Sequence, residues 1–328
     1  MSTSYRVLAT DRVSKKGLAP LRNDDRFDVV IVKDSSTPEF AAELKTATGL
    51  IVRSATTVDA AMLEGAPDLK VVGRAGVGVD NIDVKAASER GVAVMNSPAG
   101  NTISAAELTM ALMLAVARRV TEADRSIREG RWERSTLQGV ELRGKMLGVI
   151  GAGRIGWEVA QRCRAFGMDV IVYDPYLAPE RIDALHPRLV FLDELIESAD
   201  VISLHVPLNA ETRGLIGKDV LSRMKKSAFV LNLSRGGVVD EEALARALVK
   251  GHIAGAGLDV YEHEPIPPDS PLLEAPNLVL TPHLGASTKE AQIQVALEVS
   301  RNLRAALALG DLSSAINATD LAWPAGLS

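Results

Sequence analysis

The chain has 328 residues, enough for about two domains that each bury a core of their own. A net charge of −5, with Lys and Arg scattered among the acids, leaves no basic face for nucleic acid, and 4% aromatic content argues against base-stacking platforms. The single cysteine, Cys163, excludes an intramolecular disulfide and reads as a packing residue.

The beginning, Met1-Ser2-Thr3-Ser4-Tyr5-Arg6, enters a strand without an apolar signal segment. The apolar run 108–117, closed by Arg118-Arg119, is too short to span a bilayer, so a cytoplasmic location is expected. Up to about residue 98, Val- and Ile-rich runs at 5–10, 27–32, 49–53, 69–74 and 92–96 alternate with helix-like runs. They lack strict alternation, as parallel strands buried on both faces should, and predict a small doubly wound α/β domain.

Arg53 and Arg74 stand at the carboxyl ends of two of these strands, where open α/β sheets hold ligands. After Arg74, the glycine-spaced turn Ala75-Gly76-Val77-Gly78-Val79-Asp80-Asn81 offers backbone amides to an anion before a helix at 84–89. Together they predict an acidic ligand.

Asn101-Thr102-Ile103-Ser104-Ala105-Ala106-Glu107 opens a helix that is apolar on nearly all sides to residue 117, which suits a crossover wedged between domains or subunits. A second alternating region follows, with strands expected at 146–150, 170–173, 189–192, 201–206, 229–233, 256–260 and 279–281. One intervening helix starts at Asp240 with acids in its first turn. A final helix from Ser287 to about residue 309 opens with a capping box of Ser287 and Glu290 and returns the chain to the first domain. The remainder, 310–328, has weak periodicity and turn residues such as Pro324 and Gly326.

The second region begins with the most informative stretch, Leu147-Gly148-Val149-Ile150-Gly151-Ala152-Gly153-Arg154-Ile155-Gly156. An apolar strand ending in G-x-G-x-x-G and leading into a helix is a dinucleotide-binding pattern. Gly151 allows the tight turn, Gly153 the approach of a pyrophosphate, Gly156 close packing of helix on strand, and the helix amides meet the phosphate charge. Asp174, at the end of the next strand and 18 residues past Gly156, is placed for the adenosine ribose; it would repel a 2′-phosphate, so NAD is expected over NADP.

Three polar residues follow strands of this region: Arg235, Glu264 and His283. A guanidinium, a carboxylate and an imidazole at one sheet edge supply an anion clamp, an orienter and an acid/base for hydride chemistry. Imidazole titrates near neutrality, and a carboxylate on its far nitrogen fixes the tautomer. Glu262, His263 and Glu264 alternate sides in an extended loop, and His186, His205 and His252 lack ligand spacing, so no metal is expected.

These segments resemble the D-isomer-specific 2-hydroxyacid dehydrogenases, most closely the branch that oxidises 3-phosphoglycerate. The likeness covers roughly residues 5–310 and is carried by Gly73 to Asp83, Gly100 to Glu107, Gly148 to Gly156, Leu233 to Val239 and Pro282 to Ala291. It implies a Rossmann NAD-binding domain, 99–284, inserted into a flavodoxin-like substrate domain, 1–98 and 285–328, with a cleft closing over the cofactor. Arg235, Glu264 and His283 match the family's catalytic residues. Gly151, Gly153, Arg154, Ile155, Gly156, Asp174, Pro207, Thr212, Ser234, Asp259 and Gly285 match its cofactor positions, Asp259 beside the nicotinamide.

Gly76, Val77, Gly78, Arg235 and His283 match positions that hold the substrate, with Arg53 and Arg74 matching those used for its phosphate and Arg134 a candidate third cation. The expected reaction is 3-phosphoglycerate to 3-phosphohydroxypyruvate, in serine biosynthesis, in a homodimer. Alternatives are a hydroxypyruvate or glyoxylate reductase and, in another class, an NAD-sensing binding protein. Serine feedback through a C-terminal regulatory domain is not expected, and Leu137-Gln138-Gly139 departs from the family's aromatic-containing version.

Overall fold

The computed structural model describes residues 4–177 and 188–321. His186, Pro324 and Gly326 lie outside them. The chain packs as two units, one from the residues up to Thr102 with those from Ala286 onward, the other Ile103–Gly285.

The first unit carries a five-stranded parallel sheet of β1 (Tyr5–Ala9), β2 (Phe27–Ile31), β3 (Gly49–Val52), β4 (Val71–Arg74) and β5 (Ala93–Met95), in the order β2-β1-β3-β4-β5. This is the flavodoxin-like strand order. Side chains alternate between two cores because strand side chains have period two. Val7, Ile51, Val71, Ala93 and Met95 pack on one face with Val299 and Leu303 of the helix Lys289–Leu309. Leu8, Leu50, Val52, Val72 and Val94 pack on the other with Phe40, Leu44 and Leu63. Both faces are covered, so the strands read as apolar runs, interrupted only by Arg6 in β1 and Asp28 in β2, which pair with each other at 2.9 Å.

The second unit carries a seven-stranded parallel sheet of β6 (Met146–Ile150), β7 (Asp169–Tyr173), β8 (Arg188–Leu189), β9 (Val201–Leu204), β10 (Phe229–Asn232), β11 (Gly255–Leu258) and β12 (Leu278–Leu280). Their order is β12-β11-β10-β9-β6-β7-β8, so the chain winds outward from β6 to one edge and returns to continue from β9. The strand order therefore reverses between β6 and β9, which is where such sheets bind ligands. The same alternation recurs: Leu147, Val149, Val172 and Leu231 face one core with Met110, Leu112, Met113 and Val116 of the helix Thr102–Ala117, whereas Ile150, Ile202, Leu204 and Val230 face the other.

The strands expected at 201–206 and 256–260 end earlier, at Leu204 and Leu258, and two further differences have a local cause. The strand expected at 189–192 is confined to Arg188–Leu189, because Leu192 begins a helix, Leu192–Ser198, that buries Leu195 and Ile196 and places Asp193 and Glu194 in its first turn. The last helix is capped one residue later than the capping-box reading: Thr288, not Ser287, accepts the Ala291 amide, and the helix runs Lys289–Leu309 to a left-handed Gly310. Cys163 is buried with Sγ 3.5 Å from the Met110 sulfur. Burial pushes its thiol up to about 12, which leaves it protonated and unreactive.

Candidate functional site

The turn after β6 has the geometry of a dinucleotide cradle. Gly151 has φ +91°, and a Cβ there would stand 2.7 Å from the His205 carbonyl, so the turn admits no side chain. Gly156 lies against that turn, a Cβ meeting the Gly151 carbonyl at 2.2 Å. At Gly153 a Cβ would meet nothing within 4 Å, which leaves the open approach a pyrophosphate needs. Gly153 also occupies the N-cap of the helix Arg154–Ala165 and caps nothing with a side chain, so the first helical amides, those of Arg154 and Ile155, face this space uncapped.

Asp174 closes the cradle at the end of β7. One carboxylate oxygen accepts the Ala152 amide at 2.8 Å and the other the Tyr176 amide at 3.0 Å, which orients the carboxylate and ties it to the glycine turn. Beyond β9, Thr212 Oγ1 donates to the Pro207 carbonyl at 2.6 Å, and Asn209 accepts the amides of Glu211 and Thr212, so Pro207 and Thr212 share one compact turn. His205 directly follows β9, its Nε2 2.8 Å from the buried Ser203 hydroxyl. Burial lowers that imidazole to about 4, so it is neutral at pH 7.

At the carboxyl ends of β10, β11 and β12 the polar residues form a connected group. His283 Nδ1 stands 2.8 Å from one Glu264 oxygen, and the other Glu264 oxygen accepts the Tyr261 amide at 3.1 Å. The carboxylate is thus held on both sides and leaves Nε2 as the outward nitrogen of the imidazole. His283 itself has φ +54°, a left-handed conformation unusual for histidine. The buried Asp259 enforces it: its carboxylate accepts the Thr281 hydroxyl and the amides of Leu284 and Gly285, while its carbonyl accepts the His283 amide.

Arg235 sits in a turn shaped by buried Asn232, whose side-chain oxygen accepts the Ser234 amide and hydroxyl and whose side-chain nitrogen donates to the Arg235 carbonyl. Arg235 Nη1 donates to the Ser234 carbonyl at 2.7 Å. The next residue, Gly236, packs on the Tyr261 carbonyl so closely that a Cβ would lie 1.8 Å from it. The Arg235 turn is therefore set against the segment that leads into Glu264.

In the other unit, Arg53 follows β3 and Arg74 ends β4. The Arg74 guanidinium folds over Gly76, with Nη1 2.2 Å from where a Cβ would be, so this glycine makes room for the cation beside the loop. The carbonyls of Gly76 and Val77 accept the Ser97 amide and the Asn96 side chain. Among the described residues nothing accepts the amides of Val77 and Gly78. Arg134 is exposed and belongs to the second unit.

The second unit's sequence is a match to a known domain. The profile of the "D-isomer specific 2-hydroxyacid dehydrogenase, NAD binding domain" matches residues 110–285. A D-3-phosphoglycerate dehydrogenase of Archaeoglobus fulgidus is 48% identical over 91% of this chain and 56% of its own length. A Thermus thermophilus protein of known structure is 40% identical with a TM-score of 0.85, covering 95% of this chain and 99% of its own. A glyoxylate reductase from Paecilomyes thermophila is 33% identical with a TM-score of 0.84, covering 95% and 98%.

The chain belongs to the D-isomer specific 2-hydroxyacid dehydrogenase family. It spans just over half the length of the curated relatives it matches. As a family member it has a Rossmann unit of strand order 3-2-1-4-5-6 extended by one strand, set into a flavodoxin-like unit made from both chain ends. Sequence reasoning missed the residues that hold its polar groups through backbone bonds, namely Asn232, the Tyr261 amide and, in the first unit, Asp11 and Asn81. A buried Asn ending an apolar strand was the one available signal.

Proposed function

We propose that the chain is an NAD-dependent dehydrogenase of a D-2-hydroxy acid, with 3-phosphoglycerate and 3-phosphohydroxypyruvate as its substrate pair. The observation that carries the reading is the His283–Glu264 pair at 2.8 Å, on the same sheet as a glycine turn open above Gly153. Gly151, Gly153, Arg154, Ile155 and Gly156 would hold the pyrophosphate and Asp174 the adenosine ribose, with Pro207, Thr212, Ser234, Asp259 and Gly285 further along the same sheet edge. The Asp174 charge favours NAD over NADP.

When bound, NAD supplies the hydride acceptor for the carbinol carbon. His283 Nε2 takes the hydroxyl proton, and returns it when the keto acid is reduced. Glu264 on Nδ1 selects the tautomer and orients the ring. Arg235 is the forked donor for the substrate carboxylate and the neighbouring oxygen. The amides of Val77 and Gly78 offer a second carboxylate contact, whereas the expected Gly76 amide is taken by the Arg74 carbonyl at 2.9 Å, and Arg53 and Arg74 offer the contacts for a phosphate. The relatives named D-3-phosphoglycerate dehydrogenase support that substrate.

The glyoxylate reductase neighbour favours a second reading, reduction of hydroxypyruvate or glyoxylate. NADH consumption with 3-phosphohydroxypyruvate, hydroxypyruvate and glyoxylate side by side separates the two. A kcat/KM highest for the phosphorylated acid supports the first, and preference for another transfers the same machinery to the second. No turnover with any supports a binding protein that senses NAD.

We further infer a homodimer joined through the second unit, where Val120, Ile127, Trp132 and Val140 are exposed apolar residues. A reducing cytoplasm suits the buried free thiol of Cys163. Light scattering of the purified chain reads the oligomer directly, and a monomer mass overturns the dimer.

A further inference from the structure

The loop after β1 contains two consecutive residues in the left-handed region, Asp11 at φ +57° and Arg12 at φ +54°. Neither is a glycine, and such strain persists only where surrounding contacts over-determine it. Here the contacts are made by one carboxylate. Asp11 Oδ2 accepts the amides of Arg53 at 2.7 Å and Thr56 at 3.1 Å, and Oδ1 accepts the Thr56 hydroxyl at 2.6 Å. β1 and β3 are neighbours, so this bond set crosses from the end of one strand to the end of the next.

A second side chain meets the backbone of the same residue from the opposite neighbour, β4. Asn81 Nδ2 donates to the carbonyls of Arg53 at 2.7 Å and Thr56 at 2.6 Å, while its own carbonyl accepts the Val58 amide at 2.8 Å. Arg53 lies just beyond β3, yet both its N–H and its C=O are taken by side chains from flanking loops. Thr56, between them, is 1% exposed. Among the described residues, no hydrogen bond or ion pair engages the Arg53 guanidinium.

We propose that Asp11 and Asn81 are positioning residues for Arg53, fixing the two peptide groups that flank its Cα so that the side chain leaves the backbone in a direction set before the remote anionic group of the substrate binds. The proposal rests on the reading of Arg53 as a phosphate contact. A flexible arginine loses rotamer freedom when it grips an anion, and a fixed backbone reduces the part of that cost borne at binding. Neither positioning residue touches substrate. Their effect is therefore confined to substrates that carry the remote charge.

The experiment measures kcat and KM for 3-phosphohydroxypyruvate and hydroxypyruvate, with NADH, in Asp11→Ala, Arg53→Ala and the double variant. Asp11→Ala is expected to lower the preference for the phosphorylated acid roughly tenfold, chiefly through KM. In the Arg53→Ala background it should lower that preference no further, because the two act as one unit. Asn81→Ala reads the same grip from the other loop and serves if Asp11→Ala does not fold.

If Arg53→Ala leaves the preference intact, the phosphate reading of Arg53 fails, and the proposal with it. If Arg53→Ala removes the preference while Asp11→Ala and Asn81→Ala keep it, or lower kcat/KM for both acids equally, the reading stands and the positioning role is overturned.

Discussion

His283 is held in a left-handed conformation with one ring nitrogen on Glu264, which leaves the other nitrogen for the proton transfer proposed above. His283→Ala should therefore lower kcat by about 10² to 10⁴. NAD affinity, read by fluorescence titration, should stay within about twofold, since the glycine turn and Asp174 are untouched. Near-native turnover in the variant would remove the acid/base role. His205 makes the opposite case, an imidazole whose surroundings suppress its charge. Burial lowers it to about 4, whereas the unfolded chain protonates near 6.5. Between those values only the unfolded state binds the proton, so stability falls as pH drops from about 6.5 to about 4, by about 3 kcal/mol at most. His205→Gln keeps a partner for Ser203 and does not titrate there. Its urea midpoint should decline less than the parent's between pH 7 and pH 4.5, and parallel declines would contradict the assignment. The sequence marked His283 as an acid/base candidate with Glu264 as its orienter, and His205 only as a histidine without ligand spacing. What it did not carry is the desolvation around His205, which depends on residues distant in the chain.

At the scale of elements, apolar runs located every strand of the first unit, because both faces of the sheet are covered and only Arg6 in β1 and Asp28 in β2 interrupt the runs. The G-x-G-x-x-G turn was equally legible, since its conformation depends on glycine itself. Boundaries were less so. Ser287 and Thr288 are adjacent residues of the kind that cap helices, and only the observed path of the chain selects Thr288 as acceptor of the Ala291 amide. Thr288→Ala should cost about 0.5 to 2 kcal/mol of stability, in line with loss of an N-cap. Ser287→Ala should cost a few tenths or less, and equal losses in urea unfolding would restore the capping box. The short β8 teaches a similar lesson: Leu189 and Leu192 look alike as apolar residues, but acids at 193 and 194 favour a helix start, and Leu195 and Ile196 supply its buried face.

At the scale of the molecule, the two units differ in how the chain builds them. The first needs both chain ends, while Ile103–Gly285 is continuous and contains two hydrophobic clusters of its own. The helix Thr102–Ala117 supplies Met110, Leu112, Met113 and Val116 to one of those clusters, so a fragment cut at residue 103 keeps nearly all of that helix. A segment with a complete core and every residue assigned to the cofactor should fold alone. The fragment 103–285 should therefore give a cooperative thermal transition and bind NAD within about tenfold of the whole chain's affinity, because about 1.4 kcal/mol is all that such a ratio represents. It should not reduce 3-phosphohydroxypyruvate at a measurable rate, since Arg53, Arg74 and the Val77 and Gly78 amides, the proposed substrate contacts, are on the missing unit. A folded fragment that failed to bind NAD would show that the first unit completes the cofactor site. A fragment that turned over substrate as fast as the whole chain would remove the first unit from substrate recognition and leave Arg235 as the anion contact that matters.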